Sequence, residues 1–226
     1  ASGDKPLSLA TRRKYVAVVR KMLDSAVRDG LIAKNPAAGV DLGRERAVPE
    51  NSRAIDRHEV PTRAELDAII AAVTNPTIRG LLRFMALTGL RVGEACELRV
   101  KDLRGIEWGA AGAGATFRVA RSVSESTDDN GARVVGLPKS GRTRTVPLGN
   151  EAYGLLKGRL HGDGAVVDLS DPNALVFPNR DGAQFRGSNI NDPVLVKACE
   201  AAKTRRVSCH TMRHYFATDA LHRGIP

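Results

Sequence analysis

The sequence has no apolar run that approaches the roughly 20 residues a membrane helix needs. Its N-terminus also lacks the basic start, apolar core and small-residue cleavage site of a secretory signal peptide. Cysteine is scarce: Cys96, Cys199 and Cys209 are odd in number and show no C-x-x-C spacing. We therefore expect reduced thiols that pack as small apolar groups, not a disulfide framework or a zinc site. Together these absences predict a soluble intracellular protein.

Acidic residues are outnumbered by basic ones. The chain has 35 Lys and Arg residues against 25 Asp and Glu residues, which gives a formal net charge of +10. This surplus exceeds what solubility requires, and a basic surface attracts polyanions because binding releases their counterions. Nucleic acid is therefore the expected partner. The length of 226 residues suits one domain plus a fragment of another, and a hydrophobic fraction of 42% allows a real core.

The N-terminal segment has a helical pattern. Ser8 is placed to cap a helix that ends at Gly30, and Asn35-Pro36 blocks its continuation. The apolar positions of this helix recur at helical spacing and are Tyr15, Val18, Val19, Met22 and Ala26. From Asp41 to Pro61 the apolar periodicity disappears and charged residues take over, which predicts a linker.

The next segment positions an arginine at a helix start. Thr62 and Glu65 have the spacing of a capping box, and a second helix stops at Gly89, so Arg91 begins a helix of its own. A helix N-terminus presents unpaired N–H groups and a positive dipole end to an anion, and Arg91 adds a full charge there. Glu94 follows one turn later, and we expect it to brace Arg91 or a neighbouring turn by hydrogen bonding.

The middle of the chain favours β-structure. We predict a small three-stranded antiparallel sheet with Lys139 in a turn between Pro138 and Gly141. The strands of this predicted sheet lie within residues 116–123, 133–137 and 143–148. Later elements are predicted as a helix at 150–160, a strand or turn at 175–178 and a helix at 188–203, with a surface loop at 109–115.

Near the end of the chain, His210 and Arg213 lie three residues apart. On a helix this spacing places both side chains on one face. A guanidinium fork beside an imidazole donor suits a phosphodiester oxygen. The alternative is an ordinary solvated helix face above a core stripe, and that stripe would consist of Met212, Tyr215, Phe216 and Leu221.

Three segments together resemble the catalytic domain of the tyrosine recombinase family, which includes the phage integrases. The first is a T-G-L-R-x-x-E-x-x-x-L box at residues 88–98, the second is Lys139 followed by an R-x-V-P-L strand at 144–148, and the third is the H-x-x-R box at 210–213. The resemblance implies a mainly α fold with a small antiparallel β-sheet (α+β), the tyrosine-recombinase catalytic-domain fold.

The resemblance extends to the domain organisation. Residues 1–40 resemble the C-terminal part of the family's helical core-binding domain, although a simple helical arm remains an alternative. Residues 41–61 then correspond to the interdomain linker, and residues 62–226 to a catalytic domain that is incomplete at its C-terminus. The family's second histidine or tryptophan and its nucleophilic tyrosine follow the H-x-x-R box, and 13 residues follow Arg213 here. We therefore expect a chain that is truncated before its nucleophile and that binds but does not cleave DNA.

The tyrosines that are present match no nucleophile motif. Tyr15 and Tyr153 lie outside the three segments, and Tyr215 is expected to pack inside its helix. The resemblance implies that Arg91 and Arg213 clamp the non-bridging phosphate oxygens, that His210 donates to one of them or assists proton transfer, and that Lys139 protonates the departing 5′-oxygen. This chemistry needs no metal, no ATP and no other cofactor.

The remaining positive charges are candidate contacts to the DNA backbone, although each is equally plausible as a solvated surface charge. These candidates are Arg12, Arg13, Lys14, Arg142 and Arg144. The partners implied are a double-stranded recombination site and a synaptic homotetramer formed from monomers or weak oligomers. Accessory DNA-bending and directionality proteins are also implied, in the cytoplasm of a bacterial host on nucleoid DNA.

The function that the resemblance implies is site-specific recombination for the integration and excision of a phage or mobile element. Three alternatives stay open at the level of sequence. They are a recombinase that resolves chromosome dimers, a type IB topoisomerase, and a non-catalytic DNA-binding module that keeps the phosphate pocket without the nucleophile.

Overall fold

The computed structural model describes residues 7–43, 60–103, 105–106, 108, 114–162 and 167–224. The chain divides into two compact units, Ala1–Arg57 and His58–Pro226. The division falls within the segment 41–61 that the sequence predicts as a linker, and residues 44–59 of that segment lie outside the described ranges. The assignment of domains stays a prediction.

The described part of the chain is helix-rich. The helices are α1 (Leu9–Arg28), α2 (Arg63–Ala72), α3 (Pro76–Thr88), α4 (Val92–Cys96), α5 (Asn150–His161), α6 (Gly187–Ile190), α7 (Val196–Ala201) and α8 (Cys209–His222). The strands are β1 (Thr116–Val119), β2 (Ser122–Thr127), β3 (Arg133–Gly136) and β4 (Arg144–Pro147). Among these described helices, none is both long and apolar enough to cross a membrane.

The first unit contains α1, with the cap that its sequence predicts. The Ser8 hydroxyl accepts a hydrogen bond from the Thr11 N–H at 3.2 Å. Arg20 donates from Nε to the Ala37 carbonyl at 2.9 Å and also reaches the Val40 carbonyl, so the turn at 37–40 is fastened to the helix. The apolar residues of α1 stay exposed, and they include Tyr15, Val18, Val19 and Met22.

The core of the second unit is built around α3. The ring of Phe84 is fully buried between Phe117 and Phe177, with centroid distances of 5.5 Å to each. At the N-terminus of α3, Asn75 Oδ1 accepts from two backbone N–H groups, and Pro76 follows at the first helical position. At the other end the helix stops at Gly89. Both ends of α3 are therefore determined by neighbouring residues in the sequence. The end at Gly89 determines where the segment leading to α4 begins.

The prediction of one three-stranded sheet is wrong in its pairing. Strand β1 pairs antiparallel with β4, and β2 pairs antiparallel with β3, which gives two separate ladders in the described residues. The segment predicted as a single strand breaks at Arg121. The guanidinium of Arg121 turns toward two buried carboxylates, with Nε 3.4 Å from Glu97 and Nη2 in an ion pair with Asp102. These ion pairs hold the chain in the bend between β1 and β2.

Lys139 lies in a turn, as predicted, but the turn does not join two paired strands. It is closed by a hydrogen bond of 2.7 Å from the Gly141 N–H to the Pro138 carbonyl. It connects β3 of one ladder with β4 of the other. Lys139 therefore lies in the connection between the β2–β3 ladder and the β1–β4 ladder, and its side chain is exposed.

Two later elements also differ from their predictions. The helix predicted at 188–203 contains a π-helical turn at Asn191–Leu195 between α6 and α7, around Pro193, which has no N–H to donate. Residues 175–178, predicted as a strand or turn, form a bend that begins with a single antiparallel bridge between Leu175 and Arg99. In α8, Leu221 is 71% exposed and does not belong to the core stripe. The loop predicted at 109–115 lies largely outside the described residues.

The packing of α4 against β2 depends on Gly93. A Cβ at this position would collide with the Val123 carbonyl oxygen and would lie 2.7 Å from the Ser122 hydroxyl. Gly93→Ala is therefore expected to lower the free energy of unfolding by about 1–3 kcal/mol through overpacking. The matched control is Gly154→Ala in α5, where a Cβ meets nothing within 4 Å. There the lost backbone freedom of the unfolded chain should raise stability by about 0.5–1 kcal/mol.

Urea unfolding of both variants, followed by circular dichroism, measures these changes. Opposite shifts of the two midpoints are expected. A Gly93→Ala midpoint at or above that of the wild type would contradict the close approach of α4 to β2.

Candidate functional site

Arg91 is positioned by the tight junction between α3 and α4. Gly89 ends α3 with φ at +66°, a left-handed conformation that glycine adopts without steric cost. A Cβ at Gly89 would also collide with the ring of Phe216 on α8. Arg91 then serves as the N-cap residue of α4, as the sequence predicts, and its side chain is 36% exposed. Gly89 is therefore packed against Phe216, while the side chain of Arg91 is partly exposed to solvent.

Glu94 is the buried anchor of the site. Its side chain is 0% exposed, and its carboxylate accepts from the Arg91 N–H at 3.0 Å and from Arg91 Nη1 at 3.2 Å. Arg144 donates to both oxygens of the same carboxylate, with Nη1 at 3.0 Å from Oε1 and Nη2 at 2.6 Å from Oε2. Burial opposes ionisation of Glu94, but the hydrogen bonds from Arg144 and Arg91 outweigh it and lower its pKa. The contact predicted between Glu94 and Arg91 is present.

Arg213 is brought to the same junction by α8. This helix begins with a reciprocal cap between Ser208 and Thr211, where the Ser208 N–H donates to the Thr211 hydroxyl at 3.1 Å. One turn later the guanidinium of Arg213 donates from Nη1 to the carbonyl of Gly89. Burial and then the charge of Arg91 lower the pKa of Arg213. The two arginines predicted to share a phosphate therefore lie beside the same turn.

His210 faces the positive charges of the site. Its ring meets the ring of His214 edge-on, with a centroid distance of 4.4 Å. Partial burial of the imidazole lowers the pKa of His210, and His214, Arg213, Arg91 and Lys139 shift it further in the same direction. His210 is therefore close enough to Arg213, Arg91 and Lys139 for their charges to act on it. These effects favour the neutral imidazole.

The candidate DNA contacts are placed in different ways. Arg142 is exposed next to the Lys139 turn, whereas the guanidinium of Arg144 forms an ion pair with Glu94. In the first unit, Arg12 and Lys14 are exposed on α1, and Arg13 donates to the Gly43 carbonyl at 2.7 Å. Contact of these residues with DNA stays a prediction.

The tyrosines occupy other surroundings. Tyr215 is buried in α8, as expected, and burial raises its pKa. The charges that act on its hydroxyl are those of Asp219, Arg63 and Asp67. Tyr153 is buried with its ring stacked on Trp108 at 5.6 Å, and Tyr15 is exposed on α1 of the first unit.

Two residues of the site were not predicted in these roles. His214 lies four residues after His210, and this spacing alone places both rings on one helical face. Arg144 was assigned to DNA by its proximity to Lys139 in sequence. Its partner Glu94 lies 50 residues away along the chain, and no local pattern indicates such a pair.

Comparison with known proteins identifies relatives of this chain. Residues 120–226 match the phage integrase family. The tyrosine recombinase XerD of Pseudomonas aeruginosa is 28% identical over 211 residues, which cover 93% of this chain and 62% of that protein. The tyrosine recombinase XerC of Proteus mirabilis is 26% identical over 223 residues, which cover 97% of this chain and 61% of that protein. The chain therefore spans less than two thirds of the length of these curated relatives.

Solved structures share the fold at lower identity. The Tn1549 transposon integrase in complex with transposon right end DNA superposes with a TM-score of 0.65 at 20% identity, over 99% of this chain and 70% of that chain. A lambda integrase dimer bound to a COC′ core site gives a TM-score of 0.56 at 13% identity, over 95% of this chain and 68% of that chain. The fold is therefore the helix-rich catalytic-domain fold with small antiparallel strands that the sequence predicts. Residues 120–226 therefore carry a phage integrase family domain, and the curated relatives and the fold support the tyrosine recombinase family.

Proposed function

We propose that the protein is a site-specific recombinase that cleaves and rejoins duplex DNA through a 3′-phosphotyrosyl intermediate, for integration and excision of a phage or other mobile element. The observation that carries this proposal is that Arg91 and Arg213 lie beside the Gly89 turn, with His210 electrostatically coupled to Arg213, Arg91 and Lys139. The presence of DNA in the complexes of the transposon and lambda integrases supports a duplex partner.

The proposed reaction is a pair of transesterifications. A tyrosine oxygen attacks the scissile phosphorus and the bond to the 5′-oxygen breaks, while Lys139 supplies the proton that the departing oxygen needs. A 5′-hydroxyl of the partner strand then attacks the phosphotyrosine, and the tyrosine oxygen leaves. One phosphodiester is exchanged for another, so the bond energy is conserved without a nucleotide cofactor.

The arginines stabilise the transition state in this proposal. The non-bridging oxygens carry more negative charge in the five-coordinate transition state than in the ground state, so preorganised donors lower the barrier. Glu94 orients Arg91, and the Gly89 carbonyl orients Arg213. Because both are oriented before DNA arrives, little reorganisation is needed during the reaction.

None of the tyrosines in these 226 residues is assigned as the nucleophile. Tyr215 is the tyrosine nearest in sequence to Arg213, but it is buried and its hydroxyl is influenced by charges on α2. We therefore propose that the 226 residues bind DNA without forming a covalent adduct. A synaptic homotetramer and accessory DNA-bending proteins complete the proposal for the whole protein. A DNA-binding module without catalysis is the alternative that the experiments below distinguish.

Binding to duplex DNA is expected to fall steeply with salt. A protein that neutralises several phosphates should lose about a thousandfold or more in affinity between about 50 and 200 mM salt. Fluorescence anisotropy with a labelled duplex at several salt concentrations measures the slope. A flat response would remove DNA as the partner.

DNA binding is also expected to be linked to protonation of His210. In the free protein the pKa of His210 is below its ordinary value, and a neighbouring phosphate favours the imidazolium. The pKa in the complex is therefore the higher of the two. Affinity should rise as the pH falls through the window between the free and bound pKa values, because the complex takes up a proton. NMR titration of the His210 ring with and without DNA tests this, with His210→Gln to assign its resonance. A bound pKa at or below the free value would contradict contact with phosphate.

Cleavage is measured with the full-length protein and a suicide substrate that carries its recombination site. Arg91→Ala or Arg213→Ala should lower the rate of covalent adduct formation by about a hundredfold or more, with a much smaller effect on DNA affinity. Lys139→Ala should also be slow, and a 5′-thiolate leaving group should restore its rate because thiolate departs without a proton.

Tyr215→Phe is the control for the nucleophile and should still form the adduct. Loss of the adduct in Tyr215→Phe would identify this residue as the nucleophile and overturn its assignment to the core. Wild-type rates for Lys139→Ala on the ordinary substrate would disprove the role of Lys139 as general acid.

A further inference from the structure

The ion pair between Arg144 and Glu94 has no part in the chemistry described above. Arg144 grips both carboxylate oxygens of Glu94, at 3.0 and 2.6 Å, in the bidentate geometry that makes arginine–carboxylate pairs strong. The carboxylate is fully buried, while the Arg144 side chain is 34% exposed. A guanidinium held in this way differs from a surface charge that follows a DNA backbone.

The fork of Arg144 determines how Glu94 can bind Arg91. Both carboxylate oxygens already accept from Arg144, and among the described contacts Arg91 reaches Glu94 through its N–H and through Nη1 alone, at 3.2 Å. The guanidinium of Arg91 therefore keeps other donors for a phosphate. Without Arg144, the buried anion would have Arg91 as its remaining cationic partner, and a lone buried carboxylate attracts such a partner strongly because burial leaves it poorly solvated.

Arg144 also lies at the end of the segment that carries Lys139. It is the first residue of β4, five positions after Lys139, and its pairing partner in the ladder is Val119 of β1. The contact with Glu94 thus ties the far side of the Lys139 turn to the start of α4, where Arg91 lies.

We propose that Arg144 is a positioning residue: it occupies the fork of Glu94, leaves Arg91 free to bind the scissile phosphate, and holds the Lys139 turn beside it. This inference rests on the proposed function. It replaces the assignment of Arg144 as a DNA-backbone contact.

The test uses an alanine variant and a double variant in the protein expressed from its complete gene. Arg144→Ala should slow adduct formation by about tenfold to a hundredfold, because small displacements of a catalytic group cost this much. Adding Glu94→Gln should restore part of the rate, since the amide keeps the acceptor for the Arg91 N–H but removes the charge that draws the Arg91 guanidinium away. A phosphate contact predicts instead that the loss from Arg144→Ala persists in the Glu94→Gln background.

Arg121→Gln is the matched control. It also removes an arginine from buried carboxylates, Glu97 and Asp102, without touching Arg91. Its unfolding temperature should fall while its rate of adduct formation, measured where the protein is folded, stays within about twofold, as expected for a change outside the site. Should Arg144→Ala fail to fold, Arg144→Lys keeps the charge without the fork and should remain slower than the wild type. Equal rates for Arg144→Lys and wild type would overturn the proposal.

A second readout does not depend on cleavage. In the 226-residue chain without DNA, the NMR signal of the Arg91 Nε–H group should shift in Arg144→Ala and return toward its wild-type position in the double variant. An Arg91 signal that does not respond to Arg144 overturns the positioning role. If the signal responds as expected but the wild-type protein forms no adduct, the positioning role stands and the proposed function fails.

Discussion

The carboxylate of Glu94 is buried, and its burial requires cationic partners, which are Arg91 and Arg144. An uncompensated buried charge is costly, and removal of one partner from a buried ion pair typically costs about 3–5 kcal/mol. Glu94 meets this constraint with the N–H and guanidinium of Arg91 and with the fork of Arg144. One side chain therefore joins the N-terminus of α4 to strand β4 and to the turn that precedes it.

The proposed phosphate site brings several positive charges close to one another. Burial lowers the pKa values of His210 and Arg213, and the positive charge of Arg91 lowers both further. Packing holds these groups together: the Gly89 turn leaves no room for a Cβ beneath Phe216, and Arg213 is tied to the Gly89 carbonyl. A bound phosphate would reduce the repulsion between these positive charges, and the more negative phosphate of the proposed transition state would reduce it further.

The sequence predicts the parts of this site that depend on local rules. The caps at Ser8 and Thr62 and the stop at Gly89 were correct because each involves residues within a few positions of one another. The predicted three-stranded pairing is wrong because the break between β1 and β2 depends on ion pairs of Arg121 with Glu97 and Asp102, which are distant in sequence. The role of Arg144 depends on a partner 50 residues away and has no local pattern, whereas the spacing of His210 and His214 is visible in the sequence.

The claim at the centre of this interpretation is that Arg91 and Arg213 contact the same phosphate. It is tested most directly by the affinity of the wild type, Arg91→Ala and Arg213→Ala for duplexes in which each phosphate of the recombination site is replaced, one at a time, by a neutral methylphosphonate. At one position, a neutral phosphate alone should weaken binding by the wild type, and Arg91→Ala alone should weaken binding to the unmodified duplex. Combining the two changes should weaken binding no further, and the same should hold at the same position for Arg213→Ala. Coupling of the two arginines to different phosphates, or additive losses at every position, would contradict the shared site.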